Sequence, residues 1–314
     1  MAFGALALHP QLLSRLSTLN FKQPTDIQAQ AIPVILSGKD VMAGAQTGTG
    51  KTAAFCLPIL HQLLNAQELN QQDRHQLSND SAQKKLAKAL ILTPTRELAQ
   101  QVHHNLSQLI GDSAIDVALI YGGVSTQAQK AQLAAGVDII VATPGRLLDL
   151  LRQRATSLAA VDYFVIDEAD RMLDMGFRDE IIEVLKRLPK QRQTLLFSAT
   201  LDDSVFSFSK RLLTQAKVIE AHARNQTAVT VTERVYHVDA KRKCDLLCRL
   251  IQAEKWQQVL IFSRTKQDAD LLVKQMSQRG VKVSAFHADL SQSVREQVLT
   301  DFKCEQLTAL VATD

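Results

Sequence analysis

Residues 40–52 read DVMAGAQTGTGKT, and the succession of residue types in them decides the fold. A short apolar run stops at glycine, a bend of Gly and Thr follows, and a helical stretch begins at Lys51-Thr52. The same succession returns in ALILTPTREL (89–98), VALIYGG (117–123), DIIVATPGRLLD (138–149), YFVIDEAD (163–170) and TLLFSAT (194–200). It resumes further on in QVLIFSRTK (258–266), KVSAFHADLSQ (282–292) and TALVATD (308–314). Continuous apolar runs of this length suit strands buried on both faces, and their alternation with helices predicts an α/β fold of parallel sheets. In such sheets ligands bind beyond the carboxyl ends of the strands, where each of these runs places its polar cluster, so one large shared site is expected.

The composition fits this reading. Of 314 residues, 46% are hydrophobic and 22% charged, which argues against disorder and for two domains of ordinary size. The net charge of +4 permits a polyanionic partner without demanding one. Cys56, Cys244, Cys248 and Cys304 form no C-x-x-C pair and read as small hydrophobes in a reducing compartment. MAFGALALHP at the start has no basic segment or cleavage signature, and no later run has the length to span a bilayer, so a cytoplasmic protein without a membrane partner is expected. Adjacent His103 and His104 lack the i, i+4 spacing of a metal pair and read as solvated helix residues.

The pattern lapses in AHARNQTAVTVT, which places a linker at 221–232 between domains at 1–220 and 233–314. The polar, Gln-rich segment 66–88 reads as a surface insertion, helical or mobile, with no chemistry assigned.

AQTGTGKT (45–52) matches the phosphate-binding loop G-x-x-x-x-G-K-[ST] except that Ala45 replaces the first glycine. Gly48 and Gly50 let the backbone curl so that the amides of Ala45, Gln46, Thr47, Gly48, Thr49 and Gly50 can face an anion, and the next helix offers its positive end to the same group. Lys51 would reach the outer phosphates and the Thr52 hydroxyl would join Mg²⁺. This accounts for YFVIDEAD, where three carboxylates within four positions repel one another unless a cation intervenes. Asp167, first after the strand, is placed to hold the ion, and Glu168 to orient or deprotonate an attacking water. Asp170 also suits a helix start, where the dipole favours an acid.

Taken in order, these motifs resemble the DEAD-box ATP-dependent RNA helicases, bacterial members among them. The resemblance runs through FKQPTDIQ (21–28), AQTGTGKT, PTRELAQ (94–100), GG (122–123), TPGR (143–146), DEAD (167–170), SAT (198–200), IFSRT (261–265), HADLSQSVR (287–295) and VATD (311–314). It implies two tandem RecA-like parallel-sheet domains, with ATP and Mg²⁺ as cofactors. It implies that the Q motif, 19–29, recognises adenine, with Gln28 bonding the base and Phe21 stacking near it. The stretch Thr25-Asp26-Ile27-Gln28 is equally a capping box opening a helix. The family usually has Pro where Asp26 stands and Gly where Asn20 stands, which leaves the local turn open.

By the same resemblance Pro94, Thr95, Arg96, Gly123, Thr143, Gly145 and Arg146 hold the RNA backbone, and Arg264, Gln292 and Arg295 in the second domain line the RNA path or the cleft. Solvated helix arginines are the plain alternative for several of these. Contacts to phosphates grip without reading sequence, and an aromatic content of 5% with one Trp agrees with little base stacking. Ser198 and Thr200 are implied to couple hydrolysis to strand separation through hydrogen bonds with the Asp167–Asp170 segment.

The resemblance implies a monomer that closes on ATP and RNA, unwinds short duplexes or remodels RNA–protein complexes, and reopens after hydrolysis. Accessory proteins are possible partners. The family's H-R-x-G-R-x-x-R element, which carries arginines across the cleft, does not occur in the chain, so the second domain is expected to be incomplete and hydrolysis slow or absent. A nucleotide-dependent RNA clamp without turnover and a DNA translocase are the alternative functions.

Overall fold

The computed structural model describes residues 2–74, 85–221 and 231–313, and they fall into two compact units, Met1–Gln226 and Thr227–Asp314. In the first unit seven strands form one parallel sheet: β1 (Val41–Gly44), β2 (Ala89–Leu92), β3 (Val117–Ile120), β4 (Ile139–Ala142), β5 (Tyr163–Ile166), β6 (Gln193–Ser198) and β7 (Lys217–Glu220). Their order across the sheet is β3-β4-β2-β5-β6-β1-β7. The helices are α1 (Pro10–Thr18), α2 (Asp26–Leu36), α3 (Lys51–Arg74), α4 (Arg96–Ile110), α5 (Thr126–Ala135), α6 (Pro144–Arg152), α7 (Ala169–Asp174), α8 (Arg178–Leu185) and α9 (Asp203–Ser209).

Side chains that alternate along each strand feed two separate cores, as the two-residue period of a strand requires. Val41, Ala43, Ile91, Val165, Leu195 and Phe197 pack under α1–α4, and Met42, Leu90, Leu92, Phe164, Ile166 and Leu196 pack under α5–α9. The helix after β1 therefore lies on one face of the sheet, and the helix after its neighbour β6 on the other. The crevice at their ends is a topological switch point, where open parallel sheets bind ligands. The loop 45–50 occupies it.

The parallel α/β expectation holds in both units, with one strand added. Lys217–Glu220 pairs with β1 at the sheet edge, though only Ile219 of its four residues is buried, so no apolar run announced it. The insertion begins as a continuation of α3 as far as Arg74, while 75–84 lie outside the described residues, as do 222–230 of the expected linker.

The second unit carries α10 (Lys243–Ala253), β8 (Val259–Phe262), α11 (Lys266–Gln278), β9 (Val283–Phe286), α12 (Gln292–Lys303) and β10 (Ala309–Ala312). Its sheet is parallel, with order β8-β10-β9. Its core is small, built on Cys248, Ile251, Ala269, Met276, Val281, Ala309 and Val311. Leu260 and Phe262 on β8 point outward, Phe262 being 70% exposed.

Cys56 and Cys248 are buried, as small hydrophobes should be, but Cys304 is exposed. His104 is solvated as expected, whereas His103 is half-buried, and that burial lowers its pKa below the ordinary histidine value. Among the described residues no helix is long and apolar enough to cross a membrane.

Candidate functional site

The loop after β1 is pinned at both ends. Ala45 N–H donates to the Ser198 carbonyl of β6 at 3.0 Å, and the Gly50 carbonyl accepts Ala54 N–H of α3 at 3.1 Å. Gly48 and Gly50 take φ of 85° and 94°, which other residues adopt only with strain. Ala45 is not among the residues with positive φ, so alanine costs nothing where the usual pattern has glycine. Thr49 Oγ1 donates to the Gln46 carbonyl at 2.7 Å and fixes the bend between them.

Gln28 is 2% exposed and ties this loop to α2. Its Oε1 accepts Thr25 N–H at 3.0 Å in the capping-box manner, and its Nε2 donates to the Gly50 carbonyl at 3.1 Å. Each atom of the amide keeps capacity for one further bond. Asn20 has φ 60°, which explains why a glycine is usual there, and Asp26 is the first residue of α2, where proline fits and an acid suits the dipole. Phe21 is 42% exposed and meets Phe3 edge-on, with ring centroids 6.4 Å apart.

A cleft of about 250 Å³ opens beside the loop, with Phe21, Gln28, Thr47, Gly48, Gly50, Lys51, Thr52, Asp167 and Glu168 in its walls. Lys51 is 6% exposed, and its Nζ is buried without a hydrogen-bond partner among the described residues. Asp167 is 3% exposed. Burial pushes its carboxyl up to about 7; Lys51 works against that rise, and Glu168 and Asp170 add to it. A buried ammonium and a buried carboxylate held at the mouth of an anion cradle fit a phosphate chain carrying a cation. Among the described residues no group of three or more His, Cys, Asp or Glu could hold a metal by itself. An ion here would draw most ligands from phosphate oxygens and water, as Mg²⁺ does at nucleotide sites, with Thr52 and Asp167 as protein partners.

Glu168 sits in the left-handed region at φ 53°, ψ 55°, a strain of about 1–2 kcal/mol for a residue with a side chain. Arg171 Nη1 reaches its Oε2 at 3.4 Å. Asp170 lies in the first turn of α7, where the dipole favours an acid, and Glu168 holds the cap position. Asp170 Oδ2 accepts Thr200 N–H at 2.9 Å and Thr200 Oγ1–H at 3.0 Å, while Ser198 Oγ accepts Asp170 N–H at 3.2 Å. The hydrogen bonds expected between the 198–200 and 167–170 segments are present.

A second cluster gathers at the ends of β3, β4 and β2, which are sheet neighbours. Arg96 lies against Gly123, whose φ of 86° and lack of Cβ leave room for the guanidinium. Arg146 Nη1 donates to the Val124 carbonyl at 3.2 Å and to Gln129 Oε1 at 3.3 Å. Thr95 and Thr143 are N-caps of α4 and α6, and the space beside Gly145 is open. Pro94 is buried. In the second unit Arg264 is exposed, Gln292 is buried with Nε2 donating to Glu296 Oε1 at 3.0 Å, and Arg295 lies 4.9 Å from the Phe286 ring centroid. A solvated face thus describes Arg264 but neither of the other two. Motif reading missed Tyr121 and Gln129, which support this cluster: Gln129 Nε2 donates to the Tyr121 carbonyl at 2.9 Å. It also missed a row of amides on α4 beside the cleft, visible only as a helical spacing of Gln and Asn.

The family model described as DEAD/DEAH box helicase matches residues 25–208, and that described as helicase conserved C-terminal domain matches 242–314. The chain is 38% identical over 312 residues to "ATP-dependent RNA helicase CshA" of Listeria monocytogenes, covering 99% of this chain and 57% of that protein. To "ATP-dependent RNA helicase RhlB" of Xanthomonas oryzae it is 38% identical, covering 100% and 54%. The chain thus spans little more than half the length of these relatives. Among solved structures, "S. cerevisiae Dbp5 bound to RNA and ADP BeF3" superposes with TM-score 0.83 at 31% identity, covering 99% of this chain and 75% of that one. A DEAD box protein from Methanococcus jannaschii gives 0.62 at 34% identity, covering 100% and 80%. Both have the parallel-sheet α/β architecture found here. Since the 25–208 match takes in the ends of β1 to β6 and more than half of the chain, the chain belongs to the DEAD/DEAH box helicase family.

Proposed function

We propose that the chain is the nucleotide-binding and RNA-gripping part of an ATP-dependent RNA helicase. The observation that carries this is the buried, unpartnered Lys51 ammonium facing the same cleft as Asp167. Mg²⁺, when bound with ATP, neutralises charge on the outer phosphates. Lys51 and the amides of 45–50 would hold those phosphates, Thr52 and Asp167 would hold the ion, and Glu168 would orient the attacking water and accept its proton. Phe21 and Gln28 meet the adenine. Arg96, Gly123, Thr143, Gly145 and Arg146, with the backbone at Pro94 and Thr95, hold RNA phosphates in the first unit; Arg264, Gln292 and Arg295 are the candidate RNA contacts of the second.

The two clusters stand on different strands of one sheet, and Asp170 joins β5 to the segment after β6. That junction is the coupling element: a change at Asp167 or Glu168 reaches Ser198 and Thr200 through hydrogen bonds already formed. Domains at 1–220 and 233–314 joined by 221–232, a cytoplasmic monomer, and accessory ribonucleoprotein partners complete the proposal. The RNA-bound relative and the names of the curated relatives support RNA over DNA.

Phosphate release with and without single-stranded RNA, on the chain and on Lys51→Ala, tests the reading. Lys51→Ala is expected to weaken Mg·ATP binding about 10- to 100-fold, the worth of charge-assisted bonds to phosphate. Nucleotide-dependent RNA binding with no phosphate release would favour the clamp. Mg·ATP binding unaffected by Lys51→Ala would remove the basis of both readings.

A further inference from the structure

The cleft beside the phosphate loop does not end at Phe21. It continues along α4, where Leu98, Gln101, Asn105, Gln108 and Leu109 line it together with Leu19 and Phe21. Gln101, Asn105 and Gln108 stand at i, i+4 and i+7, one stripe of a helix, and from residue 98 to 108 the wall is about 15 Å long. The side-chain amides of these three residues make no hydrogen bond among the described residues, although the Gln108 backbone carbonyl accepts from Arg15 Nε. Among the described residues the only lysine or arginine in the cleft walls is Lys51, beside the phosphate loop; Arg15, bonded to the Gln108 backbone carbonyl, is not part of the walls.

From this we infer that the α4 amides are the specificity wall for the nucleoside half of the nucleotide. The inference rests on the nucleotide reading of the Lys51 cradle and adds residues that no motif supplies. A wall of neutral amides cannot neutralise a phosphodiester, but each amide offers a donor and an acceptor to ribose hydroxyls and to a base edge. The aliphatic side chains at 19, 98 and 109, with the exposed Phe21 ring, provide the apolar surface that a base face requires. An extended groove with a charged end and a neutral, amide-lined end matches a nucleotide better than an inorganic phosphate or an RNA strand.

Isothermal titration of the 314-residue chain with Mg·ADP and, separately, with inorganic tripolyphosphate separates the two ends. The triple variant Gln101→Ala/Asn105→Ala/Gln108→Ala is expected to bind Mg·ADP about 10-fold more weakly and tripolyphosphate as the wild type does, while Lys51→Ala loses both. Asn105→Ala alone, the mildest change, is expected to show part of the loss for Mg·ADP only. Mg·ADP affinity within about twofold of wild type in the triple variant overturns the inference and leaves the cradle reading intact. Equal loss of both ligands in the triple variant or in Asn105→Ala also overturns it. Failure of the wild type to bind either ligand removes the nucleotide reading and the inference together.

Discussion

A lysine ammonium 6% exposed and without a hydrogen-bond partner among the described residues carries a desolvation cost that attraction to the buried Asp167 carboxyl offsets only in part. Lys51→Met keeps the stem and removes the charge, so thermal denaturation without nucleotide should find the variant more stable, by about 1–3 kcal/mol. A less stable variant would mean that the attraction between the ammonium and Asp167 outweighs the desolvation of Lys51. His103 supplies a pH effect at the same scale. Burial lowers its pKa first, His104 lowers it further, and a hydrogen bond to the Val117 backbone works the other way. With the folded-state pKa below the ordinary 6.5, the unfolded chain takes up the proton first, so this contribution is complete above 6.5 and is lost as pH falls through that value. The drop in stability between about pH 7 and pH 5 should therefore be smaller in His103→Gln, as read from urea midpoints at each pH.

Between the start of α2 and the turn into α3, one amide connects two elements. Gln28→Ala removes the bond to Thr25 N–H and the bond to the Gly50 carbonyl together, an expected loss of about 1–3 kcal/mol. For a unit of this size that lowers the melting temperature by several degrees. Gln28→Glu keeps the acceptor for Thr25 but sets a buried carboxyl oxygen against the Gly50 carbonyl, so at neutral pH its melting temperature should be no higher than that of Gln28→Ala. Equal melting temperatures for wild type and Gln28→Ala would show that the tether is not part of the stability of the metal-free protein. Gly123 makes a related point at the end of β3, since any Cβ there would strike the Arg96 guanidinium.

The two cores of the first unit share the sheet between them, while the core of the second unit has no residue in common with either. Residues 1–221 are therefore expected to fold alone and to melt cooperatively within a few degrees of the first unit in the longer chain, checked by circular dichroism and calorimetry. A broad, uncooperative transition would show that the first unit needs the second. The second unit has the smaller core and leaves Leu260 and Phe262 exposed on β8, which makes it the less stable of the two.

The repeated apolar run ending in small or charged residues was enough to determine a parallel α/β chain, because strands covered on both faces must be apolar throughout. Motif spacing alone anticipated that Lys51, Asp167 and Glu168 share one cleft, because a Gly-rich loop after one strand and acids after another both lie at strand ends of the same parallel sheet. The edge strand Lys217–Glu220 was not legible, because an edge buries one side chain in place of four. Neither were the burial of Gln292 and Pro94, the half-burial of His103, the tie from Gln28 to Gly50, or the α4 amides brought beside Phe21. Those depend on which elements the tertiary fold makes neighbours, and a helical spacing of glutamines looks the same in sequence whether it faces solvent or a binding cleft.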